Sequence, residues 1–404
     1  MKKTYFLLLS VISFVIVLVS CSKRDSVAVS NTKTTTVSDP FAAIKSNFGT
    51  EINPLSWINY AGQTHPAYIL KDNGINNPIV NGKATLGRVL FYDKSLSVTN
   101  TVACASCHKQ EFAFSDTLQA SLGVLGGTTD RHAMRLINTR FAEEVHFFWD
   151  ERALTLEAQT TQPVVAHNEM GYSGQSGRDN LSGLLAKLQA IDYYKELFTA
   201  VYGDANVTEN RLQECLAQFI RSIQSFDSKY DSGRIQVNND RTNFPNFTTE
   251  ENTGKSLFMT PPIFDANSIR IAGGLGCNTC HQAPEFDIAP NSRNNGVIAT
   301  ISGANVDISV TRAPSLRDVV NAKGDPNGPL MHSGVIKNLG TVIAHYAAGI
   351  VNNANLDGKL KPNGRNVQQL NLQPGESAAI IAFMKTLTGK NVYTDKKWSS
   401  PFKQ

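Results

Sequence analysis

Apolar residues fall along this chain in patterns that predict different elements. An unbroken apolar run from Phe6 to Val19 follows Lys2 and Lys3, with the charge and length of a signal-peptide core rather than of a membrane span. Leu212, Cys215, Leu216, Phe219, Ile220 and Ile223 recur at helical spacing, as do Ile380, Phe383, Met384 and Leu387, so each set predicts a helix with one buried face. Pro374 lies ahead of the second stripe, and Gly389 behind it can stop the helix. A further helix start is marked by Thr248 with Glu251, a capping box ahead of Leu257 and Phe258. Strand-like alternation is short and rare, while Gly, Asn and Pro are frequent between the helical patterns, so the fold expected is mainly α with long loops.

The end of the first run narrows the destination of the chain. Leu18-Val19-Ser20-Cys21 places small residues before a cysteine as a bacterial lipobox does, so residues 1–20 are expected to be cleaved and Cys21 to carry lipid. Residues 21–45 hold Ser, Thr, Lys and Val without an amphipathic period and read as a flexible tether. The globular part would then lie on the periplasmic side of the cell envelope, lipid-anchored.

Composition adds limits. With 404 residues, 41% hydrophobic and 18% charged, the chain is long enough for two domains with ordinary cores, which excludes fibrous and disordered classes. The formal charge of +4 falls to +2 without Lys2 and Lys3, too weak and too scattered for a nucleic-acid partner.

Six cysteines in an exported chain would ordinarily suggest disulfides, but their spacing divides them otherwise. Cys104-Ala105-Ser106-Cys107-His108 and Cys277-Asn278-Thr279-Cys280-His281 are both C-x-x-C-H, in which two thiols add to the vinyl groups of a haem and the adjacent histidine ligates its iron. Cys215 lies on the apolar stripe and reads as a buried, inert thiol. The motifs stand 173 residues apart, enough for each haem to occupy its own helical lobe. The expected architecture is two cytochrome c-like haem domains packed with a shared interface, over residues 46–245 and 246–404. No internal repeat is visible beyond the haem motif itself.

The segments around the motifs carry a resemblance. LGRVLFYDKSLS (Leu86 to Ser97), CASCH, RLIN (Arg135 to Asn138), FWDERALTLEAQ (Phe148 to Gln159) and NEMG (Asn168 to Gly171) come in that order. APSLRDV (Ala313 to Val319), GPLMHSG (Gly328 to Gly334), HYAAGI (His345 to Ile350) and AFMKTLTG (Ala382 to Gly389) follow the second motif. The series resembles the bacterial dihaem cytochrome c peroxidases, including the MauG branch, over nearly all of residues 80 to 390.

The resemblance implies roles. The first haem, with His108 as proximal ligand, would be the peroxide site. The second, with His281, would be the electron-entry or hole-storage site. Trp149 matches the tryptophan that relays electrons between the haems. Gln159 and Glu169 match the pair over the open face of the peroxide haem, where Glu169 would move the proton from one peroxide oxygen to the other and Gln159 would orient the peroxide. Asn138, with the carbonyls of Asn327 and Pro329, matches a calcium site, although position 327 departs from the threonine expected there; a carbonyl ligand does not depend on the side chain. His132 lies in the region of a histidine that blocks the first haem in resting members. A surface histidine beside a permanently open haem is the other reading, and both stay open. His65, His146 and His167 read as structural.

The far ligand of the second haem, methionine in typical peroxidases and tyrosine in MauG, lies fourteen residues after the histidine of the LMHSG segment. Counting from His332 gives Tyr346. His345 is the rival ligand, and neither Met331 nor Met384 has that spacing. The leading functional expectation is a cytochrome-c peroxidase that reduces hydrogen peroxide to water with electrons from a small periplasmic cytochrome or cupredoxin. The alternatives are a MauG-like oxidase acting on a partner protein through a high-valent iron state, and a non-catalytic dihaem electron-transfer protein. A homodimer is compatible with each.

Overall fold

The computed structural model describes residues 39–403. The predicted signal peptide, Cys21 and most of the tether lie outside them. Among the described residues no helix is long and apolar enough to cross a membrane. The α-helices, in order, are α1 (Ala42–Phe48), α2 (Asn81–Tyr92), α3 (Cys104–Cys107), α4 (Leu156–Val165), α5 (Leu181–Ala190), α6 (Asp192–Tyr202), α7 (Glu209–Ser222), α8 (Lys229–Arg234), α9 (Thr249–Met259), α10 (Leu339–Ala344) and α11 (Glu376–Lys385). Strands β1 (Pro262–Phe264) and β2 (Arg270–Gly273) pair antiparallel, as do β3 (His281–Gln282) and β4 (Asp287–Ile288). The protein is mainly helical with few strands, as its pattern predicts.

Local chemistry accounts for the helix ends. The Thr248 hydroxyl accepts from the Glu251 N–H at 3.2 Å while the Glu251 carboxylate accepts from the Thr248 N–H at 2.6 Å, the reciprocal capping box that starts α9. Thr208 caps α7 in a simpler way, accepting from the Arg211 N–H. On α7 the predicted stripe from Leu212 to Ile220 is buried, with Cys215 fully so. Helix α11 stops at Lys385, earlier than Gly389 would dictate, and Leu387 stays buried beyond its end. Gly389 serves a different purpose, donating its N–H to Asp318 Oδ1 at 2.8 Å.

A repeat emerges that the haem motifs alone do not reveal. A Cβ on Gly87 of α2 would lie 1.9 Å from the Cys215 carbonyl oxygen of α7, and one on Gly254 of α9 would lie 1.8 Å from the Ala379 carbonyl oxygen of α11. Each glycine therefore lets two helix backbones touch. Four residues after each facing carbonyl comes a phenylalanine, and Phe91–Phe219 and Phe258–Phe383 both have ring centroids 5.2 Å apart. Gly-Arg88-Val-Leu-Phe and Gly-Lys255-Ser-Leu-Phe are thus equivalent stretches. Even the buried cations correspond: Arg88 donates to the Ser399 carbonyl at 2.6 Å, and Lys255 to the carbonyls of Asp240 and Thr242. The expectation of no repeat beyond the haem motif is corrected by this second, helix-pair repeat.

Each helix pair anchors an apolar cluster. The first runs from Ile44 to Ile223 and takes in Val392 and Trp398; the second runs from Tyr230 to Leu387. The change of cluster falls between Ile223 and Tyr230, and the chain crosses back to the first after Leu387. There Trp398 donates Nε1–H to the Ser222 carbonyl at 3.1 Å, and Gln110 donates to the Val392 and Asp395 carbonyls. Where the clusters meet, Lys71 pairs with Glu285 at 3.3 Å and Arg131 with Asp307 at 2.8 Å. In the same seam the Arg312 guanidinium donates to the carbonyls of Glu144 and His146.

Candidate functional site

The first C-x-x-C-H motif forms a single helical turn, α3, in which the Ala103 N–H bonds to the Ser106 hydroxyl and the His108 N–H to the Cys104 carbonyl. Ala113 and Phe114 both take left-handed conformations, φ 54 and 58, and turn the chain back on itself. The Phe114 carbonyl then meets His108 Nδ1 at 3.1 Å. A carbonyl only accepts, so Nδ1 carries the proton and Nε2 keeps its lone pair for a metal. The half-buried thiols of Cys104 and Cys107 are free, and the donor set fits a covalently attached haem.

Glu169 lies close enough to this motif for its charge to act on both thiols. Burial pushes its carboxyl up to about 7, with Arg152 opposing and Asp130 reinforcing the rise. A carboxyl poised there can both take and return a proton near neutrality. Gln159 sits on α4, and the turn bearing Glu169 folds back onto the end of that helix through Met170 N–H to the Pro163 carbonyl and Gly171 N–H to the Ala166 carbonyl. One short segment thus carries both residues.

The second motif opens on a cavity of about 410 Å³ whose wall includes Cys277, Cys280, His281, Arg135, Trp149 and Tyr346. Its lining is predominantly apolar, and the C-x-x-C-H donors converge on it, so these residues too fit a haem. His281 Nδ1 is buried without a hydrogen-bond partner; burial, and after it the nearby Arg135 charge, lower its basicity to about 4. The two motifs therefore differ in what backs the histidine.

Tyr346 falls in a wide π-helical turn, His345–Gly349, that follows α10, a local irregularity common at functional positions. Burial raises its phenol, and the thiols of Cys277 and Cys280 add to the rise. Its hydroxyl accepts from Asn295 Nδ2 at 3.1 Å. His345 instead turns its Nε2 to the Asn295 carbonyl at 3.0 Å. Met331 and Met384 also reach the cavity wall, Met331 with its sulfur 3.5 Å from the same Asn295 amide.

Trp149 is buried at the seam between the clusters. Its indole donates to the His132 carbonyl at 2.7 Å, its own carbonyl accepts from the Thr311 and Arg312 N–H groups, and its ring stands 6.2 Å from that of His332. His132 is buried as well, with Nδ1 against the Leu118 carbonyl at 3.0 Å and Nε2 against the Ser115 hydroxyl at 3.4 Å. Both ring nitrogens face partners in the segment after the first motif.

The three residues matched to calcium lie near this seam. Asn138 closes a double hydrogen bond with the Ser225 backbone, Oδ1 accepting at 2.8 Å and Nδ2 donating at 3.1 Å. Among the described residues no donor is bonded to the carbonyls of Asn327 or Pro329, and the buried Asn327 Oδ1 has no partner. These free oxygens suit a hard cation. Of the histidines read as structural, His167 bonds Ser173 and His65 packs on Phe141. His146 comes together with Glu144 and Glu151. Asn295 escaped the sequence reading because no motif surrounds it, and Arg135 and His332, although they lie in the RLIN and LMHSG segments, were given no place at the cavity, to which only folding brings them.

The profile of the di-haem cytochrome c peroxidase family matches residues 81–239, and among curated proteins both branches of that family recur. Residues 81–239 thus match the di-haem cytochrome c peroxidase family, and the chain is similar both to MauG proteins and to cytochrome c peroxidases. It is 29% identical over 327 residues to the methylamine utilization protein MauG of Methylophilus methylotrophus, covering 78% of this chain and 85% of that one. It is 24% identical over 317 residues to cytochrome c551 peroxidase of Nitrosomonas europaea, covering 76% and 80%. The crystal structure of a MauG-like protein associated with microbial copper homeostasis is similar with a TM-score of 0.64 at 25% identity, covering 86% of this chain and 99% of that one. The family match takes in the first C-x-x-C-H motif, and the second lies beyond it at residues 277–281.

Proposed function

We propose that this protein is a dihaem c-type peroxidase that reduces hydrogen peroxide with electrons from a small periplasmic cytochrome or cupredoxin. The observation that carries the reading is Glu169, a carboxyl raised to about 7 beside the first attachment motif. Bound through Cys104 and Cys107 and through Cys277 and Cys280, two haems c would supply the iron that takes peroxide and the two electrons its reduction needs.

The chain's own residues do the rest. The Phe114 carbonyl orients His108 and leaves Nε2 for iron. Glu169 takes the proton from one peroxide oxygen and returns it to the other, which lets that oxygen leave as water. Gln159 orients the peroxide. Trp149, fixed by the His132 carbonyl, spans the seam toward the second site. His132, tied to Ser115 and Leu118, acts as a strut for Trp149 rather than as a gate over the first haem. A calcium ion held by Asn138 and the carbonyls of Asn327 and Pro329 would brace the seam. The reading includes the two-lobed haem arrangement and lipid anchoring through Cys21.

A second reading, oxidation of a partner protein as in MauG, is favoured by Tyr346 and by the higher identity to MauG than to the cytochrome c551 peroxidase. Steady-state peroxide consumption by the purified dihaem protein with a reduced c-type cytochrome tests the first reading. Catalytic oxidation of the cytochrome is expected. If peroxide disappears only when a protein substrate is supplied and modified, the second reading replaces it.

A further inference from the structure

Ser121 to Thr129 close into a small hairpin. Gly123 N–H bonds to the Gly127 carbonyl at 2.8 Å and Thr129 N–H to the Ser121 carbonyl at 3.0 Å. The base of the hairpin is tied to the first attachment segment, because the Ser121 hydroxyl donates to Asp116 at 2.6 Å and Asp116 holds Lys109, the residue after His108. The tip meets the turn that carries Glu169: Val124 N–H bonds to the Glu169 carbonyl at 2.9 Å.

Two glycines make that approach possible. A Cβ on Gly123 would lie 1.8 Å from the Asn168 carbonyl oxygen and 2.9 Å from that of Glu169, and one on Gly127 would lie 2.5 Å from the Asn168 oxygen. Neither residue needs to be glycine for its own backbone, since Gly123 has φ −103 and ψ −164 and Gly127 has φ −66 and ψ 161, which any residue adopts. What excludes a side chain is the contact alone. Gly126 between them is the reverse case, with φ +80 and open space around it. The buried Val124 side chain adds a second constraint, packing over Gly171, where a Cβ would come 2.8 Å from Val124 Cγ2.

We propose that the 121–129 hairpin positions Glu169, with Gly123 and Gly127 pressing it onto the 168–169 backbone so that the carboxyl is held against the first attachment motif. The proposal rests on the proton-transfer role of Glu169. Positioning matters because a displacement of about 1 Å at a reacting group can cost on the order of 100-fold in rate. The same contacts fix the backbone on which the partly buried Glu169 side chain stands. The hairpin contributes no titratable group itself, so the charges facing Glu169 come from Arg152 and Asp130, with Cys104, Cys107 and, on its own turn, His167 nearby.

The test uses the dihaem holoprotein and the variants Gly123→Ala, Gly127→Ala, Gly126→Asn and Glu169→Gln. Infrared titration follows the Glu169 carboxyl without peroxide, assigned by the band lost in Glu169→Gln, and the pH profile of peroxide turnover is read in parallel. Gly123→Ala is expected to move the carboxyl midpoint down from about 7 and to lower turnover by roughly 10- to 100-fold per haem. Gly127→Ala should do the same to a smaller extent, and it decides the matter if Gly123→Ala does not fold. Gly126→Asn should match wild type. The proposal is overturned if the alanine variants keep the wild-type midpoint and profile, or lose activity only in proportion to lost haem. If Glu169→Gln itself turns over normally, the proton-transfer reading fails and the hairpin's role falls with it.

Discussion

His108 and His281 end the same motif, yet their Nδ1 atoms meet different surroundings. The first donates to the Phe114 carbonyl, which makes the imidazole a better electron donor to iron; the second has no acceptor and stands near Arg135. At the second site the other candidate ligand is Tyr346. A phenolate favours ferric iron over ferrous, and a thioether does the opposite. Tyr346→Met should therefore raise the potential of one haem only and change its low-spin spectrum, as read by spectroelectrochemical titration; unchanged potentials would remove Tyr346 from the iron. Trp149→Phe deletes the donor to the His132 carbonyl while keeping an aromatic ring. It should leave the first reaction with peroxide intact and slow delivery of the second electron, and stopped-flow spectra with both haems oxidised at the wild-type rate would contradict the relay. The two C-x-x-C-H motifs were legible because each is contiguous in the sequence. Asn295, which bonds Tyr346 and His345 from about fifty residues away, was not, since nothing local marks it.

At the scale of elements, the two glycine-mediated helix contacts are the places where a single atom changes the packing. Gly254→Ala puts a methyl group 1.8 Å from the Ala379 carbonyl and should force α9 and α11 apart, at a cost of about 1–3 kcal/mol or more for an overpacked contact. Denaturant unfolding checks this, and an unchanged midpoint would mean that the helices do not touch there. The capping box of α9 and the apolar stripe of α7 were readable because both are local signals of several residues. The helix-pair repeat was not readable, since it consists of a glycine and a few apolar positions split across long intervening loops. Its meaning comes only from Gly87 facing Cys215 and Gly254 facing Ala379 in space. The early end of α11 was hidden for a related reason: Gly389 looks like a helix stop, but its N–H is required by the buried Asp318 carboxyl.

Across the whole molecule, two apolar clusters share a polar seam crossed by Trp149, Arg131, Lys71 and Arg312. The last residues return to the first cluster, where Trp398 packs and Arg88 finds the Ser399 carbonyl. The mainly helical class and the two C-x-x-C-H motifs could be read from the sequence. The return of the tail could not, because Val392 and Trp398 are too few to form a periodic pattern. The working claim for the molecule is that one lobe handles peroxide with Glu169 while the other supplies electrons across the seam. Its most direct test is peroxide reduction by the reduced dihaem protein followed across pH, wild type against Glu169→Gln. The ionised carboxyl is the form that accepts the peroxide proton, so the wild-type rate should rise as pH passes through about 7. The Gln variant should keep both haems, lose that pH step and fall by roughly 100-fold or more. A Gln variant within about threefold of wild type, with the same pH profile, would contradict a positioned acid–base at this site.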